Sequence, residues 1–202
     1  MKIYDFPGAP NPKKLRVYLA EKGLEVPFET VDIVTAKNRT PEFLRKNPLG
    51  GLPVLELDDG SCLTESLAII EYFEELHPEP PMIGRTPLER ARTRELERIC
   101  EIGVLNNVAG VFQNTSPMFA GRLKQSAEAA EAARQRLANA LRVVNERIGS
   151  NPFVAGRQPT IADCTLLAAL DFGAFAGIEV PKEHANVVRW SAAFHQRPSA
   201  KA

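Results

Sequence analysis

The stretch that decides the fold is Asn47–Ser66, which reads NPLGGLPVLELDDGSCLTES. Its run Pro53–Leu57 predicts a strand that opens on a proline, because proline is tolerated in a sheet only at an edge or at a strand end. Asp59-Gly60 predicts a two-residue hairpin turn of type I′, which needs positive φ at both residues. A second strand, Ser61–Leu63, then leads into a helix that starts around Thr64–Ser66.

The two ends of this stretch carry groups suited to binding a small peptide. A Leu52-Pro53 bond at the start of a strand is a typical place for a cis proline, which would leave the backbone of Leu52 free to pair with an extended peptide. At the other end, Ser66 and the free N–H groups of a helix start suit a carboxylate, while Glu65 suits an ammonium group. The simpler alternative is that Thr64 and Ser66 only cap the helix and Pro53 is an ordinary edge proline.

These motifs resemble a known family. Gly-x-Leu-Pro-Val-Leu followed by Thr-Glu-Ser-Leu-Ala-Ile-Ile-Glu-Tyr is similar to the glutathione-binding half of the glutathione transferases. The segment 153–163 (FVAGRQPTIAD) is similar to the helix-starting signature of their second domain, so that the resemblance covers essentially the full chain. It implies a fold of α/β plus all-α class, in which a thioredoxin-like domain is followed by an all-helical domain. Thr160 and Asp163 would then be capping residues rather than catalysts.

The order of predicted elements agrees with this fold. Strands at 2–6 and 27–34, expected to be parallel, enclose a helix that begins at Asn11 or Pro12. With the later elements they give the order β-α-β-α-β-β-α, typical of a thioredoxin-like domain, over residues 1–78. A proline-rich linker follows at 79–87. The remainder, 88–202, shows only helical patterns, with helices predicted at Leu88–Asn114, Ala127–Ile148, from Thr160 onward, and Glu183–His195.

The composition indicates which kinds of binding partner and which cellular compartment to expect. The 202 residues are 44% hydrophobic, and Lys plus Arg equals Asp plus Glu at 25 each, so that no net charge attracts nucleic acid or an anionic membrane. Cys62, Cys100 and Cys164 are far apart and lack C-x-x-C spacing, which argues against a disulfide framework or a zinc site. The longest continuous apolar run, Leu166–Leu170, is too short to span a membrane. We therefore expect a cytosolic protein with no metal and no nucleic-acid or membrane partner.

The segment after the first strand is expected to carry the thiol chemistry. Transferases of this family stabilise the thiolate of bound glutathione, because the thiolate is the nucleophile. The usual device is a Tyr, Ser or Cys, but here Ala9 stands at the Ser position and Pro10 at the Cys position. Ala9-Pro10-Asn11 is similar to the Thr-Pro-Asn segment of the nu-type transferases, which implies that Asn11 donates to the glutathione sulfur. The alternative is that Asn11 is only a helix cap followed by Pro12.

The resemblance implies further contacts with both substrates. Glutathione would be bound by Asn11, Asn38, Leu52 (backbone), Pro53, Glu65 and Ser66. Asn38 would lie near the glycyl carboxylate, where Gly50 and Gly51 replace donors that relatives often have. A hydrophobic electrophile would lie between the first loop and the apolar half of the long helix, against Phe6, Pro7, Ala9, Val104, Asn107, Val108, Val111 and Phe112. A helical stripe of this kind is also typical of a protein core.

We therefore expect a glutathione transferase that conjugates reduced glutathione to a hydrophobic electrophile. It would be a homodimer associated through the helices Glu65–Leu76 and Leu88–Glu101. Two alternatives remain open. One is glutathione-dependent reduction of disulfides or peroxides at the same site. The other is a non-catalytic ligand-binding or interaction protein, which Ala9 favours and the Glu65-Ser66 pair disfavours.

Overall fold

The computed structural model describes residues 1–202, and the chain divides into two compact units. The first comprises Met1–Pro81 together with Lys201–Ala202, and the second comprises Met82–Ala200. Met82 lies within the predicted linker, yet it is buried in the second unit. The helical unit therefore includes residues that precede its first helix.

The first unit is built on a four-stranded mixed sheet. The strand order is β2-β1-β3-β4, in which β1 is parallel to β2 and antiparallel to β3, and β3 is antiparallel to β4. This confirms the predicted thioredoxin-like order. The elements are β1 (Lys2–Asp5), α1 (Pro10–Lys22), β2 (Phe28–Thr30), α2 (Pro41–Lys46), β3 (Val54–Glu56), β4 (Cys62–Thr64) and α3 (Ser66–Leu76), with a 3-10 turn at Lys37–Arg39.

Strand β2 is an exposed edge and is shorter than the predicted strand at 27–34. The ladder ends at Val31, whose N–H donates to the carbonyl of Asp5 (2.7 Å). Directly afterwards the side chain of Asp32 accepts a hydrogen bond from the N–H of Val34 (2.8 Å). An aspartate that bonds to its own backbone two residues on turns the chain, and that turn competes with the strand.

The hairpin between β3 and β4 is confirmed, but its turn differs from the prediction. Gly60 has φ +81°, whereas Asp59 does not have positive φ, which excludes a type I′ turn. The Gly60 N–H donates to the carbonyl of Leu57 (3.0 Å), and the Leu57 N–H donates to that of Ser61 (2.8 Å). A single left-handed glycine after the turn is typical of a longer hairpin loop. Asp59 favours this loop because its carboxylate accepts from the Ser61 N–H (2.9 Å).

A buried polar contact joins α1 to α3 in the first unit. The hydroxyl of Tyr18 donates to the Glu74 carboxylate (2.8 Å), and Nζ of Lys22 lies 3.1 Å from the same oxygen. Lys22 also donates to the carbonyl of Pro80 (2.6 Å). All three side chains are buried, so the carboxylate is paired and hydrogen-bonded as a buried charge must be. This contact fixes one helix against the other.

The second unit is all-helical, as predicted. Its helices are α4 (Pro87–Arg98), α5 (Asn106–Thr115), α6 (Ala127–Ile148), α7 (Ile161–Phe175) and α8 (Ala185–Phe194). The predicted single helix at 88–114 is continuous, but a π-helical segment, Ile99–Leu105, joins α4 to α5. The final helix is shorter than the predicted Glu183–His195.

Two contacts accompany the π-helical segment. A Cβ on Gly103 would lie 2.9 Å from Cβ of Ala140, so only glycine allows this approach to α6. The side-chain amide of Asn107 donates to the carbonyls of Ile102 (3.1 Å) and Gly103 (2.8 Å), and its oxygen accepts from Nε of Arg136 (3.0 Å). Asn107 thus bonds to carbonyls in the segment where the ordinary helical ladder is interrupted.

Asp163 is the polar centre of the helical unit. Its side chain is fully buried and accepts from the N–H groups of Val154 and Thr160 (2.8 Å each), the Thr160 hydroxyl (3.0 Å) and Nε1 of Trp190 (2.8 Å). The predicted capping role of Asp163 is therefore confirmed. Burial raises the pKa of this carboxyl from 3.8 to about 6, although the four donors act in the opposite direction.

Candidate functional site

The turn into α3 presents polar groups without protein partners. Glu65 stands at the N-cap position with φ +67°, a conformation that costs a residue other than glycine about 1–3 kcal/mol. Its exposed carboxylate makes no ion pair. Ser66 is 6% exposed, yet its hydroxyl has no hydrogen-bond partner in the protein. No side chain caps the helix, so the alternative in which Thr64 or Ser66 serves only as a cap is wrong.

The start of α1 differs from both predicted start positions, Asn11 and Pro12. The helix begins at Pro10, with Ala9 at the N-cap position and no side-chain cap. Pro10 and Pro12 have no N–H, and the Lys13 N–H donates to the carbonyl of Ala9 (3.1 Å). Among the three residues of the first turn, only Asn11 therefore has a backbone N–H to offer.

The side chain of Asn11 is unpaired at this helix start. Its Oδ1 atom is buried without a partner, and its amide makes no hydrogen bond within the protein. Asn11 lies inside the first turn and caps nothing, so the capping alternative is wrong. An amide at the positive end of a helix offers N–H donors to an anion and an oxygen acceptor to a proton donor.

The other free helix starts of the structure have partners within the protein. Helix α5 continues from the π-helical segment and has no free start. Side-chain acceptors are present at four of them, Thr40 for α2, Thr86 for α4, Ser126 for α6 and Asn145 for α8, and at α7 the Ile161 N–H donates to the carbonyl of Met82 (3.0 Å). Helices α1 and α3 are thus the two whose first N–H groups are left for solvent or a ligand.

The loop before β3 is held by side chains that donate to its carbonyl groups. The Leu52-Pro53 bond is cis, as predicted, and the following Val54 pairs with Tyr4 of β1. The donors and carbonyls are Arg39 to Leu49 (2.9 Å), Asn38 to Gly50 (2.8 Å) and Asn47 to Gly51 (2.9 Å). Three consecutive carbonyls are therefore fixed just before the proline.

This loop explains the two glycines that stand at 50 and 51. Gly50 has φ +64°, and a Cβ there would lie 2.8 Å from the carbonyl oxygen of Asn38 and 2.9 Å from the Arg39 guanidinium. A larger residue would have to displace backbone. Asn38 is 9% exposed and uses its amide to hold Gly50, while its contact with a glycyl carboxylate remains a prediction.

The predicted apolar residues of the second-substrate pocket fall into two groups by burial. Phe6 and Ala9 are half-buried and Pro7 is exposed in the first unit. Val104, Val108 and Val111 are at most 2% exposed within the helical unit. The polar residue of the predicted pocket, Asn107, is 8% exposed. Phe112 is half-buried among aromatic rings, with centroids of Phe119, Phe172 and Phe175 at 5.5, 5.2 and 5.6 Å.

The structure contains no group of three or more His, Cys, Asp or Glu side chains arranged to hold a metal ion. The three cysteines are free thiols. None of the helices has both the length and the apolar character needed to cross a bilayer.

Known proteins share both the sequence and this fold. The family model described as glutathione S-transferase, N-terminal domain, matches residues 1–75, and the corresponding C-terminal model matches residues 108–198. Glutathione S-transferase 2 of Saccharomyces cerevisiae is 34% identical over 205 residues, which covers 100% of this chain and 88% of the yeast protein. The chain belongs to the glutathione S-transferase family.

Crystal structures of glutathione S-transferases superpose on it closely. A glutathione S-transferase domain-containing protein of Marinobacter aquaeolei gives a TM-score of 0.93 at 35% identity, covering 99% of this chain and 100% of that one. A glutathione S-transferase of Methylobacterium radiotolerans, solved with glutathione sulfonate, gives 0.84 at 27% identity, covering 99% and 92%.

The position of Asn11 inside the first turn of α1, and the contacts of Arg39 and Asn47 with the loop before β3, are not among the sequence-based predictions. The Pro10-Asn11-Pro12 pattern did contain a usable signal, since prolines on both sides of an asparagine remove two of the first donors of a helix. The contacts of Arg39 with Leu49 and of Asn47 with Gly51 had no such signal. They depend on the path of the loop in three dimensions, which no residue pattern indicates.

Proposed function

We propose that this glutathione transferase conjugates reduced glutathione to a hydrophobic electrophile, and that glutathione lies along the starts of α1 and α3 and the loop before β3. The observation that carries the proposal is the pair of helix starts without side-chain caps. One displays Asn11 and the other displays Glu65 and Ser66. Uncapped helix starts are ready-made anion sites, and glutathione has a carboxylate for one and a thiolate for the other.

The α3 start suits the γ-glutamyl head. The Ser66 hydroxyl and the free N–H groups of the first turn would bind the α-carboxylate, and the exposed Glu65 carboxylate would pair with the α-ammonium group. An α-amino acid group carries these two charges on one carbon. Two adjacent residues, Glu65 and Ser66, could therefore bind both charges at once. The backbone of Leu52 at Pro53 would pair with the peptide, and Asn38 would lie near its glycyl end.

The α1 start suits the sulfur. The Asn11 amide and backbone N–H would donate to the thiolate, and the positive end of the helix would favour it further. Both effects stabilise the charged form, so the thiol pKa of bound glutathione should fall below its ordinary value. The thiolate then attacks an electrophilic carbon, a C–S bond forms, and the leaving group departs with its electron pair. Asn11 cannot serve as a base, so its role is to stabilise the nucleophile.

An apolar second substrate is supported by the accessibility of apolar side chains in each unit taken by itself. Phe6 and Ala9 are half-buried and Pro7 is exposed in the first unit, and Phe112 is half-buried in the helical unit. Val104, Val108 and Val111 are buried and would support the helical unit from its core. Conjugation of such electrophiles is a detoxification chemistry.

We further propose a cytosolic homodimer that associates through α3 and α4. Leu76 is 48% exposed at the end of α3, and Leu88 is 60% exposed at the start of α4, so each helix has apolar surface to bury. Sedimentation equilibrium should give twice the chain mass of 22.2 kDa. A monomer at micromolar concentration would contradict this association.

The two alternative functions are not favoured. The yeast relative that matches the whole chain carries the name glutathione S-transferase. A non-catalytic module would have no need for an unpaired serine at 6% exposure beside a left-handed glutamate.

The test is calorimetric titration with reduced glutathione, combined with the ultraviolet thiolate band followed against pH. The protein should bind glutathione with a thiol pKa below the usual value of about 8.5. Ser66→Ala should weaken binding about tenfold or more, because a bond to a charged group is lost. Asn11→Ala should raise the thiol pKa with a smaller effect on affinity.

Ser150→Ala and Asn106→Ala are matched controls, since both residues are exposed and make no side-chain hydrogen bond. Equal affinity in Ser66→Ala would remove the head-group assignment. An unchanged thiol titration in Asn11→Ala would remove the thiolate assignment.

A further inference from the structure

One arginine connects three parts of the first unit near the proposed thiol site. Arg16 lies on α1, five residues after Asn11. One of its terminal nitrogens pairs with the Asp5 carboxylate, and the other donates to the carbonyl of Pro7 (2.8 Å). Asp5 is the last residue of β1 and is 2% exposed, while the Arg16 side chain is 14% exposed. The guanidinium therefore joins α1 to the end of β1 and to the loop between them.

This pair connects the helix that carries Asn11 to β1, the strand that pairs with β3. Tyr4, which precedes Asp5, pairs with Val54 of β3, and Val54 follows the cis Pro53. The carbonyl of Asp5 accepts from Val31 (2.7 Å), so that Asp5 is held on the β2 side while the preceding Tyr4 is held on the β3 side. The ion pair transmits this rigid position to α1, the helix that carries Asn11.

We propose that Asp5 and Arg16 are positioning residues that set the distance between the Asn11 donors and the glutathione sulfur. The inference rests on the proposed function, because it supposes that glutathione lies against the loop at Pro53 and that Asn11 faces its thiol. Neither Asp5 nor Arg16 touches the substrate. They fix the start of α1 relative to β1, the strand that pairs with Val54 next to the loop at Pro53.

The chemistry of the pair agrees with a geometric role. Guanidinium groups are planar and fix two acceptors in one orientation, which an ammonium group does not. Here the acceptors belong to a strand end and a loop, so the contact fixes a direction as well as a distance. A buried carboxylate needs such a partner, since burial raises the pKa of Asp5 and the Arg16 charge acts against that rise.

The test compares three variants in the full-length protein. Arg16→Met alone would leave a buried unpaired carboxylate, so it is combined with Asp5→Asn, which removes both charges and the fork. Arg16→Lys keeps the charge but loses the fork. Arg45→Met is the control, because Arg45 is exposed and makes no ion pair.

The pair of substitutions should raise the thiol pKa of bound glutathione and lower kcat at pH 6.5 about tenfold to a hundredfold, as expected for a misplaced nucleophile. The dissociation constant of glutathione should change less than about threefold, because the Glu65-Ser66 contacts remain. Arg16→Lys should fall between the wild type and the double variant, and Arg45→Met should match the wild type.

A double variant with a lower melting temperature but an unchanged thiol titration and kcat would overturn the inference, since the pair would then serve stability alone. The wild-type titration separates this failure from that of the proposed function. If the wild type does not bind glutathione with a lowered thiol pKa, the proposed function fails, and the positioning role fails with it.

Discussion

Asp163→Asn tests how the helical unit is held together. Asparagine has the shape of aspartate, so no cavity forms, and one oxygen still accepts from Val154 and Trp190. The new NH₂ group instead faces Thr160, whose buried N–H and hydroxyl now donate to the Asp163 carboxylate (2.8 and 3.0 Å). A buried donor left unpaired costs about 1–3 kcal/mol, and a bond to a charged acceptor is at the upper end. We expect a loss of about 2–3 kcal/mol at pH 7.

The pH dependence of this loss has a definite sign. Burial raises the pKa of Asp163 to about 6 in the folded protein, from 3.8. The folded state then binds the proton more tightly than the unfolded state, so the stabilising contribution is present below pH 4 and is lost as the pH rises through 6. At about 1.36 kcal/mol per pH unit, the gap amounts to about 3 kcal/mol. The variant lacks this group, so its deficit should widen by up to that amount on acidification.

Urea unfolding followed by Trp190 fluorescence, at several values between pH 4 and 7, measures both quantities. The chain has a single tryptophan, which lies in the helical unit and contacts Asp163, so the signal reports on this region. Glu183→Gln is the matched control, because Glu183 is exposed and unpaired. A deficit that grows toward neutral pH would refute the reasoning, since it would mean that the four donors outweigh burial and lower the pKa.

Two further substitutions test local geometry. Gly50→Ala should lower stability by about 2 kcal/mol or more and weaken glutathione binding, because its Cβ would lie 2.8 Å from a backbone oxygen. Gly121→Ala, at similar φ with nothing within 4 Å, separates strain from collision, and an equal cost would exclude collision. Asn107→Ala should lower the melting temperature, at a cost of about 1–3 kcal/mol, without changing glutathione affinity. Asn106→Ala serves as its control, and a change in affinity would contradict a purely structural role.

The parts of the fold that depend on short-range chemistry could be predicted. The hairpin, the helix at Ala127–Ile148 and the Asp163 cap each depend on residues close together in sequence, and each is present. The predicted type I′ turn is wrong because an Asp-Gly pair is compatible with two types of hairpin loop. The side chain of Asp59, bonded to Ser61, favours the longer one.

The sequence names candidate residues for the site, whose roles stay predictions, but it does not indicate the geometry around them. An asparagine before a proline is a good helix cap by propensity, yet α1 starts at Pro10, two residues before the start that an Asn11 cap implies, and leaves the Asn11 side chain without a partner. Which residue occupies the N-cap position is decided by the path of the chain out of β1, and the Asp5–Arg16 contact helps to set that path. The residue pattern around Asn11 does not indicate the contact between Asp5 and Arg16.

Buried contacts between α1 and α3 help to hold the two helices with uncapped starts in a fixed relative position. Helices α1 and α3 are joined through Tyr18, Lys22 and Glu74, all of them buried. In the proposed binding mode, glutathione bound at Ser66 would therefore be held at a fixed distance from Asn11. Substitutions in the loop around Ala9 can change the chemistry at the sulfur while the γ-glutamyl head stays in place. On this argument, Ala9→Ser should alter the thiol pKa of bound glutathione much more than its affinity.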